Sequence, residues 1–505
     1  DLGLIKLDLL SLRTMSAIDD AVASIRRSGA DFDYERIPLD DRATYQLISS
    51  GQTIGVFQLE SPAQRALQAR LGASHMEDIV ASVAIIRPGP IKGNMVEPYI
   101  ARRQGKEPVS FLHPKLEAIL GKTYGVILFQ EQVIEVATAI ANFTPGEADG
   151  LRRVMTHARS HRAMEEIGEV FVARAVANGV ERELAEEIFR CIAGYASYGF
   201  CEAHAAAFAT TSFKTAYLLR HFPAEFYAAI LSNQPMGYYP PYIIGNEARR
   251  RGIAILPPHL NLSGEKFEVE GKGIRIPLTR IKGLSRQGVA SILARRPFSS
   301  LEDLVARTEL ARDELESLIR CGALDSLDAN RRRLLVLLPA CLQARQAGPG
   351  QGGLDFAPAA TAGLELPDFS EAEKRRDEFE LLGMDVRGHV MEGFRRRLQA
   401  AGFLSSRQLA ALPAGGPVRV AGMLFRPHRP PTRSGRVTVF MSLEDEFGLI
   451  EVTVFEDVYQ RCGHRIFAPQ HGPLVVEGMA QRRGNAVGVV ARQVWRWQEA
   501  FPGGE

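Results

Sequence analysis

Through the first half of the chain apolar side chains recur every three or four positions. EQVIEVATAIANF (131–143) and AEEIFRCIAGYA (185–196) show the period of a helix buried along one face. This pattern predicts a mostly helical body over residues 13–255, punctuated by proline and glycine clusters at RPGP (87–90) and QPMGYYPP (234–241). EKFEVEGKGIRIPL (265–278) alternates instead and predicts a small pair of strands, followed by a second helical region with turn signals inside it. QARQAGPGQGGLDFAPAATAGLELPD (343–368) is rich in Gly, Ala and Pro and predicts an exposed linker. From about residue 417 to 497 the period falls to two. VRVAGMLF, RVTVFMSLEDE, LIEVTVFE, PLVVEGMAQRR and AVGVVARQVWRW predict five strands of a small closed barrel of the OB type.

The 505 residues suffice for several domains, and 46% hydrophobic with 24% charged residues is an ordinary globular balance. No apolar run reaches the ~20 residues of a bilayer span, so no membrane role is expected. Cys191, Cys201, Cys321, Cys341 and Cys462 are odd in number and without CxxC spacing, which argues for reduced thiols and a cytoplasmic location. The chain opens on DLGLIKL, with neither an initiator Met nor a signal peptide, and is expected to be part of a longer protein. A formal charge of +2 says little about partners, but Arg-rich knots at 152–162, 249–251, 331–333 and 395–397 suit a polyanion as well as a solvated helix face.

Four stretches carry candidate chemistry. In LIKLDLLSL (4–12) a lone carboxylate, Asp8, interrupts an apolar run and needs a partner, either an ion pair with Lys6 or Arg13 or a Mg2+ ion. LRRVM places Arg152 and Arg153 together, planar cations suited to a triphosphate. GYASYGFCEAHAAAFA leads from Tyr198, Gly199 and Phe200 into a small-residue helix with His204, whose first amides could receive phosphate. IKGLSRQGVASIL (281–293) and LIRCGALDSLDANRR (318–332) have the order of two helix-hairpin-helix elements. Their turn amides and flanking cations, Lys282, Gly283, Arg286, Gly322 and Arg331, are the expected contacts to duplex phosphates. On the barrel, Phe425, Phe440, Phe455, Arg426 and Arg429 are candidate contacts to a single strand.

In order, KLDLLSLRT, GVFQLES, RPGP, YGVILFQEQV, LRRVM, YGFCEAHAAAFA, ILPPHLN, IKGLSRQG and CGALDSL resemble the bacterial DNA polymerase III alpha subunit, a C-family DNA polymerase, over nearly the whole chain. The resemblance implies a multidomain α+β protein. It divides into the end of a nucleotidyltransferase-like palm (1–12), fingers (13–255), a tandem helix-hairpin-helix region (256–342), the linker (343–368), a helical connector (369–416) and an OB-fold (417–505). It also implies that Asp8 is the third of three Mg2+-binding catalytic aspartates, the other two belonging to a PDxDxDF motif not found in these 505 residues. Lys6, Arg152, Arg153, Tyr198, Gly199, Phe200 and His204 would then serve the nucleotide, and primer-template DNA and dNTP are the implied partners.

Departures from the family pattern are informative. Cys201, Glu202 and Ala203 stand where replicative members carry Asn-Lys-Ser, which removes a cation near the phosphates. Thr156, His157 and Ala158 replace basic residues, and Ser285 stands for a glycine. Glu202, QPMGYY and ASYGF lean towards the error-prone branch. QGGLDF, with Gln351, Leu354 and Phe356, is similar to a motif for the sliding clamp, and other replisome or translesion proteins are further implied partners. With one of three aspartates, this chain alone is expected to bind DNA without extending a primer. The alternative is a non-catalytic DNA-binding module with a vestigial nucleotide pocket.

Overall fold

The computed structural model describes residues 12–86, 95–156, 161–195, 200–347, 366–413, 415–430, 435–469, 472–483 and 486–502. The chain divides into two units, Tyr34–Arg220 with Arg483–Ala486, and Asp1–Asp33 with His221–Arg482 and Val487–Glu505. No helix among the described residues is long and apolar enough to cross a membrane.

The unit around Tyr34–Arg220 is helical, as the three- and four-residue period predicts. Gln130–Ala141 buries Val133, Val136, Ala137, Ile140 and Ala141 along one stripe. Before its first turn Gln132 Oε1 accepts the amides of Leu128 and Phe129 at 2.9 and 3.1 Å, and its far end closes on Asn142 in the left-handed conformation. Phe171, wholly buried on His161–Ala177, packs against the rings of Phe143 and Phe189. The long helix Glu202–His221 runs alongside, with Phe213 and Ala216 in the core and Phe57 in edge-to-face contact with Phe208.

In the other unit Arg13–Arg27 lays Ala17, Ile18, Ala21, Val22 and Ile25 into the core beside Pro223–Ser232. The alternating stretch after residue 265 forms β2 (Glu268–Glu270) and β3 (Gly273–Arg275), and β1 (Ala254–Leu256) joins them in parallel to give the order β1-β3-β2. The helices Arg286–Arg295, Leu301–Arg307, Arg312–Arg320 and Arg331–Ala347 follow. The last of these takes the first residues of the expected linker into its C-terminal turns.

The barrel closes in the order β4-β5-β6-β8-β7 from β4 (Pro417–His428), β5 (Thr438–Asp445), β6 (Gly448–Phe455), β7 (Leu474–Arg483) and β8 (Ala486–Arg496). The helix Glu456–Phe467 lies between its third and fourth strands. Alternate residues Val418, Val420, Val439, Met441, Leu443, Ile450, Val452, Val454 and Val476 fill its interior. β4 pairs with β7 through Gly422 and with β5 from Met423 onward, so the strand changes neighbours at one residue. A Cβ at Gly422 would lie 2.7 Å from the Glu444 carbonyl oxygen, which is why glycine stands at the corner.

Candidate nucleotide pocket and nucleic-acid interface

In the Tyr34–Arg220 unit the segment before Gln130–Ala141 meets the segment before Glu202–His221 through a parallel bridge between Phe129 and Phe200. The Gln130 amide donates to the Phe200 carbonyl at 3.0 Å, and the Glu202 amide donates to Glu131 Oε2 at 3.0 Å. On the helix Pro145–Thr156, Arg152 and Arg153 share one carboxylate, each donating through Nε to Asp149 at 2.8 Å. Arg152 also reaches Gln130 Oε1 at 3.4 Å. Adjacent helical side chains diverge by about 100°, and Asp149, one turn back, draws these two together. The arginines hold the Asp149 carboxyl below its usual range, the Arg152 hydrogen bond contributing most.

Phe200 and His204 stand ring to ring at 5.1 Å, and His204 meets Phe208 at 4.1 Å. The structure therefore gathers Arg152, Arg153, Phe200 and His204 through one frame. The expectation that the first amides of Glu202–His221 face a phosphate needs correction at Glu202, whose amide is already taken by Glu131. Beside it Lys122 Nζ contacts both carboxylate oxygens of Glu202 at 2.8 and 2.7 Å. Lys122, Gln130 and Glu131 carry no sequence signal for this frame, because their partners are side chains and amides distant in the sequence.

The first hairpin turn presents Lys282, Gly283, Ser285 and Arg286 to solvent. Gly283 has φ +91°, a conformation that side chains resist. Ser285 caps Arg286–Arg295 by accepting the Gly288 amide at 2.9 Å, and its own amide donates to Glu314 Oε1 at 2.9 Å. The Ser285 amide is therefore engaged within the protein.

At the second expected hairpin the structure differs. Gly322 is buried, its amide donates to the Ile319 carbonyl at 3.1 Å, and its φ is +85°. Arg331, 1% exposed, lies beneath it with Nε and Nη2 on Asp325 at 2.8 and 2.7 Å, Nη2 on Glu378 at 2.8 Å and Nη1 on the Arg320 carbonyl at 2.9 Å. Gly322 and Arg331 thus form an internal corner, which corrects their expected role as DNA contacts. A guanidinium in the interior needs its charge and N–H groups satisfied by protein, and this one is.

On the barrel Phe440 and Phe455 are 37% and 48% exposed on the paired strands β5 and β6, and His428 lies 5.7 Å from the Phe440 ring. Arg429 rests over Tyr459 and Phe467 and donates to the Tyr459 hydroxyl at 2.7 Å. Phe425 is turned inward against Tyr239, which corrects its expectation as a surface contact. Arg426 lies over Tyr238 and donates to its carbonyl at 2.8 Å. Asp8 with its expected Mg2+, Lys6, Tyr198, Gly199, Gln351, Leu354 and Phe356 lie outside the described residues. Among the described residues no group of three or more His, Cys, Asp or Glu side chains could hold a metal ion.

A helical unit bearing paired arginines, a hairpin turn with exposed cations and a closed five-stranded barrel of the OB type together make a multidomain α+β protein. Residues 14–179 match the bacterial DNA polymerase III alpha subunit finger domain, and residues 252–334 match a helix-hairpin-helix motif. Over residues 14–179 the chain is therefore similar to the finger domain of the bacterial DNA polymerase III alpha subunit. It is 52% identical, over 98% of its length and 50% of the relative's, to the error-prone DNA polymerase of Symbiobacterium thermophilum. It is 38% identical to the error-prone DNA polymerase of Anaeromyxobacter dehalogenans over 97% of this chain and 45% of the relative. For the error-prone DNA polymerase of Pseudomonas aeruginosa the values are 38%, 97% and 48%. The chain spans about half the length of these curated relatives.

Proposed function

We propose that this chain is the fingers and DNA-binding portion of a template-directed DNA polymerase that transfers a nucleotidyl group from dNTP to a primer 3′ hydroxyl. The observation that carries this reading is the pairing of Arg152 and Arg153 on Asp149, with Arg152 reaching Gln130, whose amide holds the Phe200 carbonyl. Both guanidinium groups are drawn to one point, where triphosphate oxygens can replace the carboxylate. Phe200 and His204, joined to Arg152 through Gln130, offer ring surfaces for the base. Lys282, Gly283 and Arg286 hold duplex phosphates without reading sequence, and Phe440, Phe455 and Arg429 form a stacking and charged surface for single-stranded template. Asp8 carries the Mg2+ part of the proposal, together with the aspartates of the PDxDxDF motif.

The test is primer extension by the full-length polymerase that contains this chain. Arg152→Ala is expected to raise the dNTP KM by about tenfold or more, as loss of one charge-assisted phosphate contact implies. Asp8→Ala is expected to abolish extension while DNA binding persists. Unchanged extension in Asp8→Ala would refute the catalytic assignment and leave the reading of a non-catalytic DNA-binding module.

A further inference from the structure

We infer that Lys122 is a phosphate-binding residue of the nucleotide pocket and that Glu202 is the counter-ion it must leave, so this ion pair sets the affinity for dNTP. The inference rests on the proposed polymerase reading and adds a residue that the family motifs do not mark.

Lys122 and Glu202 lie 80 positions apart in sequence, yet Nζ touches both carboxylate oxygens at 2.8 and 2.7 Å. The Phe129–Phe200 bridge brings them together, with Lys122 Nζ 6.0 Å from the Phe129 ring centre. Through Gln130 the same frame reaches Arg152. Lys122 is held by Glu202, and Arg152 and Arg153 by Asp149, while Glu131 accepts the Glu202 amide. Among the described residues each of these three cations already has a carboxylate.

The lysine is half exposed and its partner one-third exposed. A pair this open to water is held weakly and can exchange partners. Lysine is also a compact charge on a flexible stem, suited to following a phosphate. Lys122 brings a positive charge to the first turn of Glu202–His221 from another segment, and this charge is already bound. An incoming triphosphate must take Lys122 from Glu202 and then tolerate a free carboxylate beside it.

The experiment uses the full-length polymerase and steady-state dNTP kinetics, with Arg152→Ala as control. Glu202→Gln is expected to lower the dNTP KM roughly three- to tenfold at low salt with kcat unchanged, and the gain should shrink as salt rises. Lys122→Ala should raise KM, Lys122→Arg should restore most of the affinity, and Lys122→Ala with Glu202→Gln should lose the gain of Glu202→Gln alone. A dNTP KM unmoved by either Glu202→Gln or Lys122→Ala, in an enzyme where Arg152→Ala raises it, overturns this inference alone. An Arg152→Ala enzyme with unchanged KM overturns the pocket reading beneath it. A purely structural pair would change thermal unfolding while leaving KM and its salt dependence alone, and that outcome also rejects the proposal.

Discussion

Glu314 Oε1 accepts the amide of Ser285 at 2.9 Å, while Oε2 accepts the amide of Ala311 at 2.8 Å. One carboxylate thereby joins the starts of Arg286–Arg295 and Arg312–Arg320. Burial pushes the Glu314 carboxyl up, but the hydrogen bonds from Ser285 and Ala311 outweigh it and hold it below its usual range. Glu314→Ala is expected to destabilise this unit by about 1–3 kcal/mol, because the Ser285 and Ala311 amides lose a charged acceptor. Urea unfolding measures the loss, and faster amide exchange at Ser285 and Ala311 locates it.

Arg331 and Lys282 should separate cleanly by assay. Arg331→Met removes its bonds to Asp325, Glu378 and the Arg320 carbonyl while Arg387 still holds Glu378 at 2.9 Å, and should cost about 1–3 kcal/mol of stability. Wherever the variant remains folded, the salt dependence of its DNA binding should match that of the parent. Lys282→Ala should leave stability alone and reduce the slope of log K against log salt by about one. Anisotropy titrations at several salt concentrations, paired with thermal unfolding, decide both.

Acid should loosen the helix that carries the paired arginines. Hydrogen bonds from Arg174, then from Thr144, hold the Glu147 carboxyl down to about 2. A lowered carboxyl stabilises the folded state fully above its ordinary value of 4.5, and this contribution disappears as pH falls towards 2. Arg174→Ala should move the Glu147 titration, followed by carboxyl-carbon NMR, back towards 4.5 and remove that part of the acid dependence.

Phe440 and Phe455 project from the barrel and contribute little to its core. Replacing each with alanine is expected to weaken single-stranded DNA binding by about 1–3 kcal/mol with little change in melting temperature. Unaltered binding would remove this face of the barrel from the template path.

The barrel was legible because alternation over eight or more residues admits few other structures, and Val418, Val439, Val452 and Val476 lie inside as the period requires. The helix Glu456–Phe467 was not, although Val458, Cys462 and Ile466 repeat every four positions within it. That signal is short and sits between strands. At the sites, Gly283 could be read locally, since a glycine before a helix suggests a left-handed turn. Arg331 could not. The same NRRR stretch serves a solvated or a buried arginine, and the choice depends on Glu378, 47 residues later. Lys122 was equally silent, because only folding brings it to Glu202.

The corner beneath Gly322 also fastens the chain on both sides of residues 348–365. Arg331 holds Glu378, Asn330 Nδ2 donates to the Leu366 carbonyl at 2.7 Å, and Arg320 grips Asp377 at 2.7 and 3.0 Å. The stretch between them joins two anchored points. A single protease cut between Ala347 and Leu366 should therefore leave two pieces that still hold each other. The architecture on either side rests on these bonds and not on the connection itself.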